Sequence, residues 1–89
     1  MRINNSRDLG LYLRDRRREL GMTQARAAAA AGVSQRWLSS LEAGKPTAEV
    51  GLVLKVIHAL RLAVDIDVAS TPAGAVDLDE LLRDLGAQT

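Results

Sequence analysis

The 89-residue sequence predicts a mainly α fold, a small helical bundle with one C-terminal β-strand that pairs across a homodimer. Three observations carry this prediction. Apolar residues recur at helical spacing over residues 6–20 and 48–60. Between those stretches, residues 23–44 hold two short helical runs, each preceded by a hydroxyl residue and followed by glycine. Residues 62–68, LAVDIDV, alternate apolar and polar with a period of two.

Residues 1–5 read as a flexible arm. Ser6 is the expected cap of the first helix, which runs to about residue 20 with Leu9, Tyr12, Leu13 and Leu20 as an inward stripe and Gly21 as its end. The run Arg16-Arg17-Arg18 is not one basic patch, because consecutive helical residues point in different directions. Thr23 caps a second helix, 24–31, in which five consecutive alanines let a neighbouring backbone come close. Gly32 supplies the left-handed residue that ends it. Ser34 caps a third helix, 35–43, stopped by Gly44 and Pro46. Leu38 and Leu41 face inward on this helix, leaving Gln35, Arg36, Ser39 and Ser40 on its outer side. A DNA recognition helix presents amide and guanidinium groups to base edges in this way.

Thr47 is the expected cap of a fourth helix, 48–60. Its principal apolar face is Val50, Val53, Leu54, Ile57 and Leu60. Leu52, Val56 and Ala59 form a second face beside it, leaving Gly51, Lys55 and His58 for water. A peripheral helix of a small monomer needs one buried face, so the second implies another protomer. In the strand 62–68, Leu62, Val64, Ile66 and Val68 share one face, and no second strand is legible to pair with it. Its backbone groups therefore call for the same strand of a partner. Asp65 and Asp67 are the wet side of that strand rather than a metal pair, and His58 has no ligand companion. Residues 70–75 read as a linker. Asp77 and Glu80 then have capping-box spacing for a short acidic helix to about residue 85, bearing Leu78, Leu81, Leu82 and Leu85. That helix either docks on a partner or packs back on its own body. The expected division is a domain at 1–69, containing the dimerisation strand, and an appendage at 70–89.

Charge is divided along the same line. Residues 1–61 hold 11 Lys and Arg against 5 Asp and Glu, whereas residues 62–89 hold 1 against 6. A basic body suits a phosphate backbone, and an acidic tail suits a basic partner or self-shielding. There is no cysteine, one histidine and no Gly-rich phosphate loop, so no catalytic constellation, metal site or cofactor is expected. The N-terminus lacks the apolar run of a signal peptide, and no stretch has the length of a membrane span, so the expected location is cytoplasmic.

The run LGLYLRDRRRELGMTQ…AGVSQRWLSSLEAGKPT resembles the lambda-repressor-like (XRE, Cro/C1-type) helix-turn-helix family over roughly residues 7–61. Leu9-Gly10, Arg17, Thr23-Gln24, Ala28, Gly32-Val33-Ser34, Leu38, Glu42 and Gly44-Lys45 carry the resemblance. Ala27 departs from it, standing where the family has a larger apolar residue. The resemblance implies that Gln35, Arg36 and Ser40 read bases in the major groove of a palindromic operator, and that Gln24, Ser34, Ser39 and Lys45 hold phosphates. It implies an ion pair between Arg17 and Glu42. Trp37 either closes the seam between the two short helices or lays its ring against the DNA backbone. With the strand directly after the helices, the chain is similar to the HipB-like antitoxins. Such a resemblance implies a dimer joined by an intermolecular β-lid, double-stranded operator DNA, and a HipA-type Ser/Thr kinase toxin as partner; the apolar patterning above assigns Leu52, Val56, Ala59, Leu62, Val64, Ile66 and Val68 to the dimer contact. The alternative is an XRE-family or phage-type repressor that works without a toxin.

Overall fold

The structure, a computed structural model, describes residues 2–69 together with residues 82, 85 and 86. Among the described residues, four helices form the body: α1 Ser6–Glu19, α2 Gln24–Ala31, α3 Gln35–Glu42 and α4 Val50–Ala59. Thr23 and Ser34 cap α2 and α3, their hydroxyl oxygens accepting from Arg26 N at 3.1 Å and Trp37 N at 3.0 Å. Two expected caps differ. Asn5 rather than Ser6 caps α1, its Oδ1 accepting from Asp8 N at 2.8 Å. Ser6 is freed to donate its hydroxyl to Gly44 O at 3.0 Å, tying the start of α1 to the end of α3. Helix α4 starts two residues later than expected, with Glu49 at its N-cap and no side-chain cap bond, so Thr47 is not its cap.

All four helices end in the same way. The two residues after each last turn donate back to carbonyls three and five positions earlier, as in Gly32 N to Ala29 O and Val33 N to Ala28 O. The motif needs a left-handed residue. Gly21, Gly32 and Gly44 supply it at φ 67°, 72° and 90°, and Arg61 does so at φ 57° after α4.

Leu13, Ala27, Ala28, Ala31, Leu38, Leu41, Val56, Ile57 and Leu60 are the buried core. Helix α2 packs on both α3 and α4, and its alanines allow this close approach. Ala27 is buried despite its small size. Helix α4 is turned differently from the expected face. Val56, Ile57 and Leu60 are buried, while Val50 is 71 % exposed and Leu54 39 %. Val56 thus belongs to the protomer's own core and offers nothing to a partner surface, whereas Leu52 and Ala59 are half-buried. An apolar arc this wide does not say which half turns inward; packing against the alanine face of α2 decides it.

Leu62 packs on the core, and its N–H donates to Ile57 O at 3.0 Å. Residues 63–69 leave the body exposed and without regular secondary structure in the single chain. The expected strand covers these residues; no strand ladder is present among the described residues of the single chain. Of the acidic appendage, Leu82, Leu85 and Gly86 are helical, with both leucines exposed. The linker at 70–75 and the rest of the expected helix lie outside the described residues.

Candidate nucleic-acid interface

Helix α3 is held by its inner side. Leu38 and Leu41 are buried in the core, and Glu42 at its last turn is 6 % exposed. A carboxylate at a helix C-terminus meets the negative end of the helix dipole and is unfavourable unless compensated. Arg17 of α1, itself 8 % exposed, supplies the compensation. Its Nε donates to Glu42 Oε2 at 2.8 Å, its Nη2 to Glu42 Oε1 at 2.9 Å and its Nη1 to Met22 O at 2.8 Å. The hydrogen bond to Glu42 raises the Arg17 pKa above its ordinary value; burial opposes the shift and charge attraction adds to it. Gln24 joins the pair, its Nε2 donating to Glu42 Oε1 at 3.2 Å.

Gly10 completes the joint between α1 and α3. A Cβ at this position would lie 2.7 Å from Glu42 O and closer still to Leu41 O, so α1 crosses the end of α3 where only glycine fits. The sequence shows a glycine inside a helical pattern, the one available signal, without showing what it meets. Ser6 also escaped the sequence reading as a contact to Gly44, because the contact spans 38 residues.

The outer side of α3 is polar and open. Gln35, Arg36 and Ser39 are exposed, and Ser40 is half-buried. Ser34, Arg36, Trp37, Ser40 and Lys45 line one depression of about 270 Å³. Two cationic side chains and two hydroxyls are thereby gathered on one face. Gln35 and Ser39 lie one helical turn apart beside it, outside its lining. Ser34 Oγ accepts the cap bond from Trp37 N, which leaves its O–H free to donate outward. Trp37 is half-buried, packing on the core while also lining the depression. Gln24 uses one amide hydrogen on Glu42 and keeps a second for another acceptor.

The profile of a family described as "Helix-turn-helix domain" matches residues 8–69. A curated relative, the uncharacterized HTH-type transcriptional regulator y4mF of Sinorhizobium fredii (strain NBRC 101917 / NGR234), is 43 % identical over 65 residues, covering 73 % of this chain and 86 % of that protein. The chain belongs to the helix-turn-helix family of transcriptional regulators. Among solved structures, the helix-turn-helix regulator is similar to a chain of the HipB(S29A)-O2 20mer complex, with a TM-score of 0.73 and 23 % identity over 79 % of this chain and 97 % of that one. A chain of the HipA-HipB-O2-O3 complex matches with the same TM-score and 20 % identity, over 79 % of this chain and 99 % of that one. The fold is therefore the HipB-like helix-turn-helix fold. Among the described residues, no helix is long and apolar enough to cross a membrane.

Proposed function

We propose that the protein is a sequence-specific repressor that binds a palindromic operator as a homodimer and also serves as the antitoxin of a HipA-type Ser/Thr kinase. The observation that carries the DNA reading is the gathering of Ser34, Arg36, Ser40 and Lys45 around one depression on the exposed face of α3. In this reading Arg36 makes a bidentate contact to guanine, with Gln35 and Ser40 reading neighbouring base edges. Lys45, Ser34 and Ser39 hold phosphates, and Gln24 does so with the amide hydrogen that Glu42 leaves free. Two copies place their α3 helices about 34 Å apart, one turn of the duplex. Likeness to HipB, one structure of which also contains HipA, supports the antitoxin role. The carboxylates concentrated after residue 61 would serve a second, basic partner.

Binding titrations against an operator and single-base variants test the DNA reading. Arg36→Ala should relax preference at one base-pair position per half-site by about 1–3 kcal/mol. Lys45→Ala should weaken all sequences alike and lower the salt slope by about 1. Uniform weakening by Arg36→Ala overturns its role as a base reader. Pull-down of a co-expressed HipA-type kinase by the full-length chain and by the chain lacking residues 70–89 tests the partner. Retention by the full-length chain and loss on truncation is the expected result. A toxin-independent repressor is the second reading. Failure of both chains to retain kinase selects it.

A further inference from the structure

A groove of about 1000 Å³ runs between the N-terminal arm, α1, α4 and the segment that follows α4. Its floor is apolar, with Leu9, Tyr12, Leu54 and Ile57. One wall is the arm, residues 2–4, and the other is residues 62–69. That second wall does not fill the groove it borders. Ile66 is 93 % exposed and Val68 94 %, and Val64 is half exposed. Three β-branched side chains are thus left largely uncovered beside an apolar groove.

The arm is not a loose end. Asn4 N–H donates to Asp8 Oδ2 at 3.3 Å, and Asn5 Oδ1 accepts from Asp8 N–H, so Asp8 fastens the arm to the first turn of α1. Charge distinguishes the two walls. Arg2 is the one charged residue of the arm, and Asp65 and Asp67 are the charged residues of the opposite wall. Among the described residues, Arg2 makes no ion pair with either aspartate of its own chain.

We infer that the arm is the outer wall of a seat for a second copy of this chain. Ile3 covers Ile66 or Val68 of the partner subunit, and Arg2 pairs with Asp65 and Asp67 of the partner subunit. The inference rests on the homodimer in the proposed function and adds to it a contact that strand pairing alone does not supply. The period of two explains the charge match. When Val64, Ile66 and Val68 turn toward a groove floor, Asp65 and Asp67 turn to its rim, which Arg2 flanks. In a two-fold dimer each contact occurs twice, so a modest pair counts double.

Sedimentation of the full-length chain over a concentration series tests this with three sets of variants. Ile3→Ser should raise the dimer dissociation constant about tenfold or more, since two apolar side chains lose their cover. Arg2→Glu should raise it by about tenfold at low salt, and the difference should close at about 1 M salt, where screening falls to about 3 Å. Arg2→Glu combined with Asp65→Lys and Asp67→Lys should recover most of the loss, which separates pairing from general charge effects. Helical circular dichroism should stay unchanged throughout, because these residues lie outside the helices. Ile66→Lys controls for the underlying reading. If it leaves the dimer intact, the strand is not the interface, and both the dimer reading and this inference fail. If Ile66→Lys gives monomer while Arg2→Glu and Ile3→Ser leave the constant within about twofold, the dimer stands and the arm's part in it is overturned.

Discussion

Removing Glu42 tests whether α1 holds the recognition helix as the geometry indicates. Arg17 is 8 % exposed in the native chain, and in Glu42→Ala it loses the acceptors of its Nε and Nη2, keeping only Met22 O through Nη1. A buried guanidinium left without its counter-charge costs about 3–5 kcal/mol. A domain of this size has about 5–15 kcal/mol in total, so the variant should be marginally folded. With a urea slope of about 1–3 kcal/mol per molar, the midpoint should fall by about 2 M at unchanged slope. The informative comparison is Arg17→Met with Glu42→Leu. That double change removes both charges and refills the space, so it should cost far less than the two single changes added together. Urea denaturation followed by circular dichroism measures the wild type and the four variants. A loss below about 1 kcal/mol for Glu42→Ala, or simple additivity in the double variant, would refute the view that the pair is buried and mutually dependent.

Two further substitutions follow from the backbone. Gly10→Ala improves helix propensity by about 1 kcal/mol yet forces a Cβ against the carbonyls of Leu41 and Glu42, which cannot swing away as a side chain can. Net destabilisation of about 1–3 kcal/mol is expected by thermal unfolding, with weaker operator binding because α3 is displaced; a higher melting temperature would show that α1 and α3 separate freely. Arg61→Gly removes a non-glycine residue from φ 57° at the end of α4 and should stabilise by about 1 kcal/mol, raising the melting temperature by about 4–8 °C. No change or a decrease would mean that the Arg61 side chain contributes contacts worth as much as the strain.

The helix-turn-helix pair was legible because its punctuation is local. Thr23 and Ser34 each sit three residues before the N–H they cap, and Gly32 follows α2 directly, so chemistry within one turn decides both boundaries. The start of α1 was not decided locally. Asn5 and Ser6 are both good capping residues, and the bond from Ser6 to Gly44, far along the chain, settles which one caps. The expectation for α4 failed for a different reason. Its residues are apolar around more than half the circumference, so periodicity marks a helix without marking its inward side. Assigning Val56 to a partner surface therefore placed a core residue on the outside. Gly10 was visible in sequence, but the carbonyls it approaches belong to a helix about 30 residues away.

Helix α1 links these observations, because it borders two different surfaces. Ser6, Gly10 and Arg17 contact the end of α3, while Leu9 and Tyr12 form part of the groove floor beside the arm and residues 62–69. The groove and the depression on α3 share no lining residue. A change in the groove can reach α3 through α4 and then α2, which packs on both, and more directly through α1. The contacts that transmit it are short and rigid: a bidentate ion pair, a hydroxyl bond and a glycine against backbone carbonyls. In the proposed dimer, such a joint carries the two-fold geometry of the seat to the recognition helices with little slack. Half-site spacing on the operator would then be set as much by the contact of α1 with α3 as by the strand itself.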